Sequence, residues 1–233
     1  MLIIVLYAVA VSFNNLADVQ TDAINKRTDN PLISGVSTRH QLIGFTLVAF
    51  IAVIGLQLFL AQPVTLLLGG LYLLLAIAYS HPHIQLQKRG LIGTAVLALC
   101  YGVIPFYIGA SQGSALSMLT PLFIIFEGVL IVPLLLAKDY KDYKGDRQTK
   151  KLTPLVRYGA HAVVQLAYTV AAVALLLFMW LGILSQTPPW LLACLSMLYI
   201  SFVYYLHALR GAENQWIKKL YILLLLLMTF VLI

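Results

Sequence analysis

The sequence predicts an all-α polytopic membrane protein, on three observations. Of its 233 residues 61% are apolar and only 10% charged, against about 25% charged in an average soluble domain. Mean hydropathy is +0.93, and several uncharged runs approach or exceed the roughly 20 residues that carry an α-helix across about 30 Å of hydrocarbon. The runs are continuous rather than alternating, which excludes a β-barrel.

Eight hydrophobic segments follow in order, at about 1–13, 42–60, 63–80, 91–110, 117–137, 158–184, 189–207 and 217–233. The first rises only about 20 Å before Asn14, short of a full crossing; the other seven are long enough to span. It lacks the basic start and small-residue cleavage site of a signal peptide. Pro105 and Pro133 lie inside segments and are expected to kink them, with neighbouring helices satisfying the freed carbonyls. Pro188-Pro189 marks a turn between segments. Cys100 and Cys194 both fall in apolar runs, where a thiol behaves as a small hydrophobe, and two such residues build neither a disulfide framework nor a metal site. Residues 1–233 read as one transmembrane domain.

Charge assigns the sides. All 15 basic residues fall in alternate connections: Lys26, Arg27 and Arg39; Lys88 and Arg89; Lys138, Lys141, Lys144, Arg147, Lys150, Lys151 and Arg157; and Arg210, Lys218 and Lys219. The intervening connections near 61–63, 111–116 and 185–188 carry none, so the positive-inside rule places the loaded loops in the cytoplasm of an integral, multi-pass protein. The net charge of +7 is accounted for by topogenesis and anionic lipid and calls for no nucleic acid.

The chain has only eight carboxylates, and five of them gather in two stretches on that face. The stretch Asn14-Asn15-Leu16-Ala17-Asp18-Val19-Gln20-Thr21-Asp22 places Asn14, Asp18 and Asp22 at i, i+4, i+8, within an arc of roughly 80° if the helix continues. Lys138-Asp139-Tyr140-Lys141-Asp142-Tyr143-Lys144-Gly145-Asp146 places Asp139, Asp142 and Asp146 at i, i+3, i+7, again on one face. Stacked like charges destabilise a helix, so a cation is expected between them. Oxygen-only ligands suit Mg²⁺, held by one or two carboxylates with phosphate oxygens and water. One such Asp would be explained as a balance for basic loops; a set at helical spacing, in loops separated by four crossings, describes a diphosphate site bridged by Mg²⁺. The even number of crossings also hints at a parallel repeat of four helices.

These stretches resemble two motifs of the UbiA superfamily of intramembrane prenyltransferases, NDxxDxxxD and the KDxxDxxGD form of DxxxDxxxD. Asn25-Lys26 with Pro31-Leu32-Ile33-Ser34-Gly35, Tyr79-Ser80-His81-Pro82 with Leu86 and Gly90, and Thr153-Pro154 with Arg157-Tyr158-Gly159 resemble its further segments, in the expected order. The resemblance implies nine helices around a lipid-accessible cavity whose cytoplasmic mouth binds a prenyl diphosphate through Mg²⁺. Three departures stand out. Asn15 replaces an Asp, Asn30 replaces the Arg before Pro31, so that a phosphate contact is either lost or supplied by Arg27 or Arg39, and eight segments rather than nine imply that the family's first helix is absent.

On this reading Asn14, Asp18 and Asp22 serve one Mg²⁺ and Asp139, Asp142 and Asp146 another, the five aspartates being the catalytic set. Lys26, Lys88, Lys138, Arg147, Tyr140 and Tyr143 are the candidate diphosphate contacts. Tyr79, Tyr101, Phe106 and Tyr107 are the nearest aromatic faces for an allylic cation, while His40 and His161 read more readily as interfacial or packed than as bases. The partners are a prenyl diphosphate, a hydrophobic acceptor and the bilayer. An aromatic quinone-type precursor leads as acceptor, with a chlorin, a glycerol-phosphate lipid, a haem or a carotenoid left open. Glu127 lies mid-segment, where an ionisable residue marks function by default. A helix-to-helix hydrogen bond is its plainer role, and a cation transporter is the competing class; an inactive fragment is a third.

Overall fold

A computed structural model describes residues 1–112, 119–208 and 215–232, all helices and turns apart from one isolated backbone bridge, Arg89 to Leu152. Helix α1 (Leu2–Ala17) leads into the short α2 (Val19–Ile24), and α3 (Arg39–Leu60) and α4 (Pro63–Ser80) form a hairpin. Then come α5 (Leu91–Ala98), a π turn (Leu99–Val103) and α6 (Ile104–Ser111), which together make one crossing. Next, α7 (Thr120–Leu130) and α8 (Val132–Ala137) make another crossing and run into α9 (Asp139–Gln148). Last come α10 (Pro154–Leu184), α11 (Pro189–Ala208) and α12 (Gln215–Leu232).

Six of these crossings are long and apolar enough to span a membrane, and Leu2–Ala17 and Lys219–Leu232 are shorter apolar helices. The eight expected segments are therefore all present. Their boundaries moved for local reasons. Thr38 caps α3 in a reciprocal capping box with Gln41, which starts that helix earlier than hydropathy alone suggests. Pro154 stands in the first turn of α10, where its missing N–H costs nothing.

Both intrasegment prolines act as expected. Pro105 cannot donate to the carbonyl four residues back and its ring crowds it; the chain answers with the π turn just before it. Pro133 splits the next crossing into α7 and α8 at Ile131. Around this break α11 adds two contacts to backbone carbonyls: Tyr199 Oη donates to Leu130 O at 3.2 Å, and His207 Nε2 meets Pro133 O at 2.9 Å.

The interior forms two main cores. One joins α1, α3, α4 and the α5–α6 crossing through Leu6, Val53, Tyr72 and Ile104. The other joins α7–α8, α10, α11 and α12 through Phe126, Phe178, Tyr199 and Met228. Each core joins four of the eight segments, and the first of each four leads into an acidic motif. Large side chains such as Phe59, Leu67, Leu176 and Phe230 stand exposed outside, as a lipid-facing surface requires.

Candidate active site

The first motif lies across the α1–α2 junction. Although α1 ends at Ala17, backbone hydrogen bonds run on from Asp18 N to Asn14 O (2.9 Å) and from Asp22 N to Asp18 O (2.8 Å), so the expected i, i+4, i+8 stacking holds. Asn14 Nδ2 donates to Asp18 Oδ2 at 3.0 Å. The second motif is α9 itself, with Asp139 and Asp146 buried and Asp142 partly so.

Asn25, at the end of α2, joins the two motifs: its Oδ1 accepts from Gly145 N at 2.7 Å and its Nδ2 donates to Asp142 O at 3.1 Å. A Cβ on Gly145 would stand 2.5 Å from Asn25 Nδ2, so only glycine admits this contact. Arg27 is a second joint, with Nη1 3.1 Å from Asp142 Oδ2 and Nε 3.9 Å from Asp22 Oδ1. It also pairs with Asp29, and this hydrogen bond holds the Asp29 carboxyl down at about 2.

The two motif walls differ in how they are satisfied. Asp18 is filled: Gln87 Nε2 donates to Oδ1 at 2.8 Å, and Lys151 Nζ lies 2.9 Å from Oδ2 beside the Asn14 contact. Asp22 takes Asn30 Nδ2 at 2.7 Å, so the Asn that stands in place of the expected Arg partners a carboxylate. Burial nevertheless raises the Asp22 pKa. On the other wall Asp139 Oδ2, Asp142 Oδ1 and Asp146 Oδ1 are buried with no hydrogen-bond partner among the described residues. Burial pushes the Asp139 carboxyl up to about 6 and that of Asp146 up to about 7, with neighbouring carboxylates adding to both.

Among the described residues no three His, Cys, Asp or Glu side chains converge closely enough to hold an ion alone. The donor set still fits a hard divalent ion that completes its shell with phosphate oxygens and water. Three orphaned carboxylate oxygens on one helix face are the groups such an ion would satisfy.

A cavity of about 250 Å³ opens between the walls, lined at its polar end by Asn14, Asp18, Arg27, Lys138, Lys141, Asp142 and Lys151. Tyr72, Cys100 and Tyr101 line its inner end and also a second, apolar cavity of about 270 Å³ with Ile3, Ile4, Tyr7 and Pro105. Apolar space thus continues about 16 Å along α1 beyond Asn14. Lys138 Nζ donates to Tyr79 Oη at 3.2 Å at the rim.

Of the expected diphosphate contacts, Lys138 alone lines this cavity. Lys26 sits exposed in a left-handed turn after α2. Tyr143 and Arg147 lie exposed on α9, and Tyr140 turns its ring onto His207 of α11. Lys88 is half-buried outside the lining, while its neighbour Gln87 turns inward. Phe106 stacks on Phe123, and Tyr79 and Tyr101, but not Tyr107, line the cavity. Gln87, Lys141 and Lys151 were not singled out by sequence; a cation next to the turn-forming Lys150 and a Gln inside the Leu86–Gly90 segment were the available signals.

The UbiA prenyltransferase family model matches residues 1–231. The chain belongs to the UbiA prenyltransferase family. Its members are prenyltransferases, and with these helices the chain is a multi-pass membrane protein. It is similar to homogentisate phytyltransferase of Synechocystis, 30% identical over 66% of this chain and 51% of that protein. It is also similar to the bacteriochlorophyll synthase 33 kDa chain of Cereibacter sphaeroides, 31% identical over 75% of this chain and 58% of that one. The chain therefore spans a little over half the length of these curated relatives. No solved structure matches it.

Proposed function

We propose that this chain transfers a prenyl or polyprenyl group from its diphosphate to a hydrophobic aromatic acceptor, in a Mg²⁺-dependent reaction at the cytoplasmic face. The carrying observation is one cavity with carboxylates of both acidic motifs and four basic side chains at one end and an apolar extension at the other. Asp139, Asp142 and Asp146 would hold Mg²⁺ on one wall and Asn14, Asp18 and Asp22 on the other. Bound there, it neutralises charge on the leaving diphosphate.

The chain's own residues do the rest. When the allylic C–O bond breaks, the electron pair stays on the diphosphate oxygen, and Arg27, Lys138, Lys141 and Lys151 supply positive charge at that end of the cavity. Tyr72, Tyr79 and Tyr101 present aromatic surface to the allylic cation, and the apolar extension takes the chain and limits water. The homogentisate-using relative supports an aromatic acceptor; the bacteriochlorophyll synthase supports a chlorin as the second reading.

Glu127 has a structural partner, the Thr229 hydroxyl of α12, which ties α7 to the last helix and weakens the transporter reading. In nanodiscs, labelled prenyl diphosphate is expected to pass to homogentisate or to a chlorin acid with Mg²⁺ present, to fail in Asp142→Ala, and to persist in Glu127→Gln. Absence of transfer to either acceptor, or Mg²⁺ flux through wild-type liposomes that stops on Glu127→Gln, overturns the reading. Single cysteines beside Asp18, Lys88 and Asp142 should react with an impermeant reagent from the cytoplasmic side alone.

A further inference from the structure

We propose that Lys151 is a resident counter-cation of the first acidic wall: a divalent ion must displace it from Asp18, and the displaced ammonium then pairs with the diphosphate. This rests on the prenyl-diphosphate reading and deepens it by giving the two walls an order of loading.

Both Asp18 oxygens already accept hydrogen bonds, from Gln87 on one and from Asn14 and Lys151 on the other. The Lys151 and Asp18 side chains are each only 11% exposed. Burial works against the ammonium's charge, and Asp18 with its neighbours outweighs it, so its pKa is raised. An ion seated on Asp18 would stand against that ammonium at close range in a poorly screened site, and one of the two cations must leave. On the second wall Arg27 pairs with one Asp142 oxygen, and Lys138 and Lys151 are electrostatic neighbours of Asp139 and Asp146, but Asp139 Oδ2, Asp142 Oδ1 and Asp146 Oδ1 accept no hydrogen bond among the described residues, so the first ion belongs on those open oxygens.

The backbone around Lys151 is fixed, and the Asp18 contact is the one hydrogen bond of its ammonium among the described residues. Lys151 N donates to Asp146 O at 2.7 Å, and the next residue is tied to the 86–90 loop by Gly90 N donating to Leu152 O at 2.8 Å. Four methylenes therefore carry the ammonium within the same cavity, which its side chain already lines. A diphosphate brings the negative charge that gives the displaced ammonium a new partner. Ion binding at the first wall and diphosphate binding are then coupled through one lysine.

The test counts Mn²⁺, substituted for Mg²⁺, on purified protein in nanodiscs by equilibrium dialysis, with and without an unreactive farnesyl thiolodiphosphate. Wild type is expected to take one ion alone and two with the analogue. Lys151→Met, and Lys151→Gln as a second variant that keeps a donor for Asp18, should take two ions without the analogue. The second ion should bind about tenfold or more tightly than in wild type, and the analogue about tenfold more weakly. Lys151→Arg, which keeps the cation, should restore one ion. Variants that keep one ion and unchanged analogue affinity overturn the exchange while leaving the prenyl-diphosphate reading intact. Wild type that takes no ion under either condition overturns both.

Discussion

The two acidic motifs stack their oxygen-bearing side chains at nearly the same helical spacing, yet the fold treats them in opposite ways. The first wall is internally neutralised, with Asp18 taking donors from α1, from the 86–88 turn and from the α9–α10 turn, and Asp22 taking Asn30. The second wall carries three buried oxygens without partners. A buried carboxylate oxygen that lacks a partner is costly, and although Arg27 holds the other Asp142 oxygen, the open oxygens leave unfavourable charge on the second wall that a cation would relieve. On the proposed reading, like motifs have unlike tasks: one wall would be stable empty, the other stable filled.

The sharpest break of this comparison is by activity. Asp142→Ala and Asp146→Ala should each lower prenyl transfer by about 10³-fold, as expected when charge stabilisation of a leaving group is removed, in protein whose circular dichroism is unchanged. Transfer within about tenfold of wild type would sink the assignment of the second wall.

Stability of the metal-free protein separates the walls by sign. Asp18→Ala leaves the buried Lys151 ammonium and Gln87 without their acceptor and should cost about 3 kcal/mol, lowering Tm by roughly 6–12 °C. Asp146→Asn removes an uncompensated carboxyl, and Tm in chelator should hold or rise. If thermal scans show both falling alike, the walls are not different in kind.

Gly145→Ala tests the joint that holds the walls at their spacing. Its methyl collides with Asn25, and overpacking of this sort costs about 1–3 kcal/mol. Ion affinity should fall together with Tm; loss of Tm alone would show that the joint does not set the spacing. The smallest effect is expected far from both walls, at the proline break. Tyr199→Phe removes the donor to Leu130 O and should cost about 0.6–1.7 kcal/mol, the range for hydrogen bonds between membrane helices, with ion binding unchanged.

Much of this protein was legible in the sequence because membrane burial writes its rule into composition. Every span must be helical and apolar over a fixed length, so uncharged runs alone located all eight segments, and Pro105 and Pro133 announced their breaks. Helical periodicity likewise placed Asn14, Asp18 and Asp22 on one face and Asp139, Asp142 and Asp146 on another, since that is local geometry. Which cation meets which carboxylate was not legible. Lys26 and Lys151 are the same residue type, each beside a motif, but Lys26 points outward from a left-handed turn while Lys151 reaches Asp18 across 133 positions of chain. Asn30 looked like a lost phosphate contact and is instead the partner of Asp22. Side-chain pairing at a site assembled from the α1–α2 junction, the 86–88 turn and α9 depends on how the two four-helix cores dock. That docking is a long-range packing outcome with no periodic trace in the sequence, and only the tertiary structure decided it.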